Sequence, residues 1–523
     1  MKPDRVDWYR PWFNGSDKAF EVLRPGSTIT QWRELAEAFS HQPGRLWYDD
    51  DGQIGHDGRR DGYLYMVDEP VRPGAGVAHE EAAKGTVGHP PTGQRRDEVS
   101  ELRIRTGRAE DIPQVLDVIE ESFRFGYYGG VRENPDERDL FEYLYHLPDF
   151  RPEWLVVGEA DGRLVSLVGM FPRPTYIGGA VIDSWMLSPA ATLKEYRGRG
   201  YMVRLIEELE RQVVAHGGTL VLLHGVPDYY LRAGFVKCLP YYEVVVRPDR
   251  VLGAAGKGGE VGEPPGETME PVVAADAPGL AELWGREASR GCLAPVRPLD
   301  WWRREIAVDN VKRAELVHRP FPDPARLFVL RHGGTPTAHA YIDEREGRMV
   351  VTDGAAADDE AADRALQDLA RRATARGTEE FAIVAGPGNR LARAGMRARG
   401  SFRMVRPNAG FTKVVAPYAF LKSLEPVLSS RWVDRGGDGV GTIAIDLGGQ
   451  SVSLVYDYDG VAVRPVDWRP NLRLTPQALT RLALGCSWPG EDLLTELNLP
   501  RAVKHAFGVL FPPAHPDPGQ YTF

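Results

Sequence analysis

The stretch EYRGRGYMVRLIEELERQVVAHGG, residues 195–218, sets Arg197, Gly198, Arg199 and Gly200 directly before an amphipathic run. The run reads as a helix: Met202, Leu205, Ile206, Leu209 and Val213 recur at three- and four-residue spacing, and Gly217-Gly218 ends it. A helix N-terminus carries unpaired N–H groups and the positive end of the helix dipole, so it favours an anion. Glycine lets backbone approach a ligand closely, and arginine adds forked, charged donors. A pyrophosphate accounts for all of these features. The usual nucleotide signatures fit poorly, since no Gly-Lys-Ser/Thr is present and Val203 stands where a dinucleotide fingerprint needs its third glycine.

The elements around this loop alternate between strand and helix. Leu102–Arg105 reads as a strand, and a helix follows with Ile112, Val115, Leu116, Ile119 and Phe123 on one face. WLVVGEADGRLVSLVGMF reads as a hairpin with Asp161-Gly162 at its turn. Residues 181–193 are apolar and strand-like, TLVLLHG is a buried strand, and PDYYLRAGF a short helix ending at Gly234.

The pattern then repeats. AEDIPQVLDVIEESF is echoed by AADAPGLAELWGREA, WLVVGEADGRLVSLVG by LFVLRHGGTPTAHAYI, and YYLRAGF by RLARAGM, in the same order. This predicts a duplicated domain over 101–251 and 269–412. Two stretches rich in proline and glycine, 69–100 and 252–268, read as linkers.

Strand, Arg-x-x-Gly-x-Gly-type loop, helix, strand and Tyr-x-x-x-Gly-Phe together resemble the GNAT acyl-CoA transferase superfamily. The residues that carry the likeness are Tyr196–Gly200 and Tyr230 to Phe235. The resemblance implies that loop amides at Arg197, Gly198, Arg199, Gly200 and Tyr201 bind the CoA pyrophosphate. It implies that backbone groups of Ala190, Ala191 and Thr192 hold pantetheine and the acyl carbonyl, and that Tyr230 protonates the leaving thiolate. The C-terminal segments GFTKVVAPYAFLKSLEPVLSSRW, NLRLTPQALTRLALGCSW and LFPPAHPDPGQYTF extend the likeness to the enhanced-intracellular-survival (Eis) family. The expected class is therefore α/β (α+β): a catalytic GNAT domain over 101–251, a degenerate one over 269–412, and a sterol-carrier-like domain over 413–523. In the second copy Asp358, Asp359 and Glu360 replace the glycine-arginine loop and Leu391 replaces Tyr230, so it should bind no CoA.

The reaction so implied is acetyl transfer from acetyl-CoA to an amine of a small cationic molecule, such as an aminoglycoside, a polyamine or an antibiotic intermediate. A longer acyl donor, or a non-catalytic binding or scaffold protein on the same frame, is the alternative. The family's base is the terminal carboxylate, here that of Phe523, with Asp183 as the second candidate. An alkylamine with a pKa near ~10.4 needs such a base at neutral pH. Phe123 and Tyr127 line either the acceptor pocket or ordinary packing, and His224 is either acceptor-facing or a core histidine. The resemblance also implies a homo-oligomer.

Composition bounds the rest. The chain has 523 residues, 42% of them hydrophobic, and a net charge of -10, with a mean hydropathy of -0.35. That charge argues against a nonspecific nucleic-acid binder and favours a cationic ligand. No apolar run approaches the ~18 residues of a membrane span, and MKPDRVDWYRPWF lacks the apolar core of a secretory signal, so no membrane partner and a cytoplasmic location are expected. Cys238, Cys292 and Cys486 lie far apart in sequence, so neither a disulfide framework nor a cysteine zinc site is expected. The histidines show no metal spacing, and no metal is expected. Residues 1–68 depart from the family pattern; Trp8, Trp12, Trp32 and Trp47 are more than a disordered arm would carry, so a folded extension is expected.

Overall fold

The computed structural model describes residues 102–123, 136–225, 227–255, 268–307, 326–345, 347–435, 439–466, 468–470, 472–486 and 499–517, together with four short strands nearer the N-terminus. Two compact units result, one of residues 1–101 with 123–134, the other of 102–122 with 135–523. In the first, β1 (Trp12–Ser16) pairs antiparallel with β4 (Tyr63–Val67), and β2 (Leu46–Tyr48) with β3 (Ile54–His56).

The second unit opens with β5 (Arg103–Thr106), α1 (Ile112–Phe123), α2 (Asp136–Tyr145), β6 (Leu155–Ala160) and β7 (Arg163–Pro172). The turn between β6 and β7 has positive φ at both Asp161 and Gly162, as a two-residue hairpin loop demands. Next come β8 (Thr175–Ile177), β9 (Ala180–Ile182), β10 (Ser184–Thr192), α3 (Tyr201–Ala215), β11 (Leu220–His224), α4 (Pro227–Arg232), β12 (Val236–Val246) and α5 (Pro248–Ala255).

A similar order then returns. It runs through β13 (Glu270–Pro271), α6 (Ala277–Ala288), β14 (Cys292–Pro295), α7 (Leu299–Ala307), β15 (Leu327–His332), β16 (Thr335–Arg345) and β17 (Arg348–Ala356). It continues with α8 (Asp359–Ala375), β18 (Phe381–Ile383), α9 (Arg390–Arg397) and β19 (Ser401–Val414). The last block comprises α10 (Pro417–Asp434), β20 (Gly441–Asp446), β21 (Ser451–Asp457), β22 (Gly460–Pro465), β23 (Leu472–Arg473), α11 (Pro476–Ala483) and α12 (Arg501–Leu510).

The two repeats share one twelve-stranded sheet in the order β13-β15-β16-β17-β18-β12-β19-β11-β10-β7-β6-β5. Its centre is an exchange of strands. β19, the last strand of the second repeat, enters between β11 and β12 of the first, pairing antiparallel with both. β12 in turn pairs with β18 of the second repeat through Val244–Val246. Each repeat thus completes the sheet of the other.

A charge cluster repeats as well. Arg105 on β5 binds Asp111 through both Nη atoms, at 2.6 and 2.8 Å, and reaches Glu159 on β6 at 2.8 Å. In the second repeat Arg331 on β15 binds Asp276 and reaches Glu270 on β13 at 2.8 Å. The arginine and glutamate have changed strands, while the helix-start aspartate has stayed.

The last block packs its sheet β22-β21-β20-β23 and helix α10 onto the shared sheet. Phe420, Trp432 and Phe507 are almost fully buried, in one cluster with Leu220, Leu222 and Leu239. Burial of such a side chain stabilises by roughly 1.5–3 kcal/mol. One expectation is corrected here. Cys238 on β12 and Cys486 after α11 form a disulfide, with Cα atoms 5.7 Å apart across 248 residues. Sequence distance misled because β12 and the last block are neighbours only in the folded chain.

Candidate active site

β10 and β11 run parallel and pair only through Ser184–Met186 and Leu220–Leu222. Beyond Met186 they part. The cause is visible on the other edge of β10, where the register against β7 shifts between Leu187 and Ala190. Gly169 of β7 permits this bulge, since a Cβ there would stand 2.5 Å from the Ser188 carbonyl oxygen. The Leu193 N–H bonds the Val165 carbonyl. In an antiparallel ladder the bonding direction alternates, so Ala191 faces β7 while Ala190 and Thr192 present backbone groups to the open edge. Of the three predicted strand residues, two can therefore bind a ligand through the backbone.

The glycine-arginine loop follows directly. Gly198 and Gly200 both have φ near 75°, and a Cβ at either would meet open space. They are glycine for their backbone conformation, and the space over them is free for a ligand. Gly200 caps α3 without a side-chain bond, so the first amides of α3 remain available to an anion. Below, Tyr201, Met202, Leu205, Ile206, Leu209 and Val213 are buried, the face expected from their spacing.

The two arginines differ. Arg197 anchors the loop, with Nε on the Thr192 carbonyl at 3.0 Å and Nη2 on the Ser122 carbonyl at 3.3 Å. Arg199 lies over the Tyr196 ring at 5.0 Å and donates to the Glu195 carbonyl at 3.1 Å. Tyr196, which the sequence motif left without a task, is fixed from beneath by its hydroxyl bond to Asp161 at 2.7 Å.

Tyr230 stands beyond the C-terminal end of β11. Its ring lies against Phe235 at 6.0 Å and Phe411 at 5.7 Å. Gly225 leaves it room, since a Cβ there would fall 2.7 Å from its ring. Burial pushes its hydroxyl well above the ordinary tyrosine range, so it stays protonated. Phe411 belongs to β19, and so does Lys413, whose Nζ bonds both Glu210 oxygens at 2.6 and 2.7 Å and the Ala233 carbonyl at 2.8 Å. One lysine of the exchanged strand therefore ties α3 to the end of the tyrosine helix. No local pattern in the sequence marks it.

The other predicted residues fall in different places. His224 is half-buried at the end of β11, opposite Gly410. Asp183 is exposed and precedes β10, where its carbonyl accepts from the Thr219 N–H. It lies at the paired end of the strand, seven residues before Ala190 and about 20 Å from it at ~3.3 Å per residue. Phe123 is buried at the end of α1. Tyr127 and Phe523 lie outside the described residues. Among the described residues no group of histidine, cysteine, aspartate and glutamate is arranged to hold a metal. No helix among them is long and apolar enough to cross a membrane.

A family model for an acetyltransferase (GNAT) domain matches residues 103–238. The fold is the GNAT fold. Solved structures align over most of the chain. A conserved protein of unknown function from Enterococcus faecalis V583 is 15% identical over 81% of this chain and 100% of its own, with a TM-score of 0.62. A GCN5-related N-acetyltransferase from Anabaena variabilis ATCC 29413 is 13% identical over 80% and 98%, with a TM-score of 0.59. Eis1 from Mycobacterium abscessus is 15% identical over 81% and 100%, with a TM-score of 0.53. No curated protein matches by sequence. Residues 103–238 thus carry an acetyltransferase (GNAT) domain, in which the glycine-arginine loop follows the end of β10 and the buried Tyr230 follows the end of β11.

In the second repeat the corresponding helix start is closed. Asp358 caps α8 by accepting from the Ala361 N–H at 2.8 Å, and Asp359 pairs with Arg393 at 2.7 Å. A carboxylate already occupies the position an anion would take. The expected match of Leu391 to Tyr230 is corrected: the left-handed residue between helix and strand is Gly234 in the first repeat and Arg399 in the second, which sets Gly395, with no side chain, in the place of Tyr230.

Proposed function

We propose that the chain transfers an acetyl group from acetyl-CoA to an amine of a small cationic molecule, in the manner of the Eis family, at the first repeat alone. The pyrophosphate would sit on the amides after Gly198, with Arg199 swinging from Tyr196 to meet it. Ala190 and Thr192 would pair with the pantetheine, and an N–H on that edge would hold the carbonyl oxygen as it gains charge. The amine nitrogen attacks the thioester carbon, the carbon–sulfur bond breaks, and Tyr230 gives its proton to the departing sulfur. The proton lost by the amine goes to a carboxylate. Asp183, at the paired end of β10, is far from this point and is not proposed as that carboxylate. The second repeat, with its start closed by Asp358, is proposed to be structural. Residues 413–523 would be its sterol-carrier-like partner, and assembly into a homo-oligomer follows the same resemblance.

The observation that carries this reading is the parting of β10 from β11 beneath a doubly left-handed glycine loop. Calorimetric titration of acetyl-CoA into the intact protein tests it. One site per chain is expected, weakened at least about tenfold by Arg199→Glu, which removes a charged donor and repels phosphate. Saturable binding without turnover across a panel of amines would favour the scaffold reading. A preference for longer acyl-CoA would correct the donor.

A further inference from the structure

The disulfide lies directly behind Tyr230. Cys238 is the extra residue of a bulge in β12: Lys237 pairs with Phe411 and Leu239 with Gly410, which leaves Cys238 no partner of its own on β19. Phe411, at that same step, packs on the Tyr230 ring. So does Phe235, three residues before Cys238. The bulge therefore sits between the two rings that hold the tyrosine.

The other sulfur belongs to the turn that ends α11. Gly485 there is left-handed, with φ 62°, and the Cys486 N–H bonds the Arg481 carbonyl. α11 lies against the exchanged strand, where Thr480 Oγ1 accepts from the Val414 N–H at 3.2 Å. It also backs Gly234, just past the tyrosine helix, since a Cβ there would stand 3.3 Å from Gln477 Nε2. The same turn holds residues 512–517. The Ala514 N–H bonds the Gly485 carbonyl at 3.1 Å, and the Asp517 N–H bonds the Cys292 carbonyl at 2.8 Å. One covalent bond thus fastens this turn, with the segment it carries, to the bulge beside Tyr230.

Two states of the pair are open to the folded chain. Cys292 is buried, with Sγ on the Leu484 carbonyl at 3.7 Å, and burial pushes its thiol up to about 12. It stays protonated and a poor nucleophile, so the disulfide does not shuffle onto it. Leu479, Leu482 and Phe507 share one apolar cluster with Leu220 and Leu222, and that packing does not require the sulfur–sulfur bond. Opening the bond loosens the joint without detaching the last block. Cys486 is 7% exposed and Cys238 1%, so a small thiol meets Cys486 first.

We propose that Cys238 and Cys486 form a redox switch on the acyl-transfer site: joined, they hold the bulge that seats Phe411 and Phe235 on Tyr230, and as two thiols they release it. Closure needs an oxidant, for which a small disulfide such as oxidised glutathione serves. Two S–H bonds are lost and one S–S bond forms, while the small disulfide takes the electron pair and both protons and leaves as two thiols. The effect on turnover rests on the reading of Tyr230 as the acid; the movement of Tyr230 does not.

The test uses the full-length protein carrying 3-fluorotyrosine, equilibrated with oxidised glutathione or with dithiothreitol. After denaturation, iodoacetamide should label one cysteine in the oxidised protein and three in the reduced one, read by mass spectrometry. The fluorine resonance that Tyr230→Phe removes identifies Tyr230, and it should shift between the two states. In the reduced protein kcat for acetyl transfer should fall at least about fivefold at nearly constant acetyl-CoA KM, since displacements of ~1 Å near the reacting atoms can cost 10²-fold. Cys486→Ala should match the reduced protein in both readouts and ignore the oxidant, whereas Cys292→Ala should respond as the wild type does. A melting temperature that falls on reduction, with the Tyr230 resonance unmoved, would show a staple and overturn the switch. Three labels after oxidation, or a response lost in Cys292→Ala, would overturn it as well. A shifted resonance without turnover in either state would uphold the switch and overturn the acyl-transfer reading instead.

Discussion

At the scale of single residues, the buried hydroxyl of Tyr230 makes a definite claim about pH. Its folded-state pKa is raised by burial, so it holds its proton past the ordinary tyrosine value near ~10. Activity should therefore climb as the acceptor amine loses its proton and show no alkaline fall below about pH 10. The same shift stabilises the fold below that pH, and the contribution is lost as pH rises further, because the folded state then binds more protons than the unfolded one. Tyr230→Phe keeps the ring against Phe235 and Phe411 while removing the hydroxyl proposed as the acid. Its kcat should fall by about 10²–10⁴ with little change in the KM for acetyl-CoA. A steady-state pH profile of both proteins checks this. Unchanged turnover in the variant would remove Tyr230 from the mechanism. The special backbone at Gly198 and Gly200 was legible in the sequence because it is local: a turn that needs positive φ leaves its mark within a few residues. Lys413 was not, because what it touches lies about 180–200 positions away. It acts as a positioning residue. Lys413→Met should lower kcat about tenfold at nearly constant acetyl-CoA KM, since displacements of ~1 Å near the reacting atoms can cost 10²-fold. Lys413→Arg should restore part of the loss.

At the scale of elements, the duplication seen in three sequence echoes gains an independent witness in the charge clusters. Arg105 and Glu270 occupy matching strand positions, as do Glu159 and Arg331, and Asp111 matches Asp276. Opposite signs at matched positions hide the correspondence from any comparison of residue types. The geometry exposes it, because the arginine can reach the helix-start aspartate from either strand. This predicts a compensated exchange. Arg105→Glu alone places three carboxylates together and should cost about 2–3 kcal/mol, the scale of lost charged hydrogen bonds. Adding Glu159→Arg reproduces the arrangement of the second repeat and should recover most of that loss, a coupling that a double-mutant cycle by urea denaturation measures directly. Failure to recover would mean that the strand position of the arginine matters.

At the scale of the whole molecule, the sequence assigns each repeat a span of its own, 101–251 and 269–412, whereas one sheet runs through both. The shared sheet does not follow that boundary. Strand periodicity shows that a segment will pair but leaves its partner open: β12 of the first repeat pairs with β18 and β19 of the second, and β19 pairs with β11 and β12 of the first. The disulfide between Cys238 and Cys486 escaped for the same reason. Exchange has a thermodynamic consequence. A fragment that stops before the second repeat would lack β19, leaving β11 and β12 unpaired on facing edges and stripping Phe411 and Lys413 from the tyrosine. Open edges of this kind template aggregation. Residues 1–260 expressed alone should therefore be insoluble or bind no acetyl-CoA, although they hold the whole family motif. Co-expressed with residues 261–523, they should copurify as a one-to-one complex that binds acetyl-CoA, because β19 then has its slot. Size-exclusion chromatography and calorimetry of the two preparations distinguish the cases. A soluble, acetyl-CoA-binding 1–260 would show that the first repeat completes its own sheet, and that the second repeat supports the tyrosine without being required to build its site.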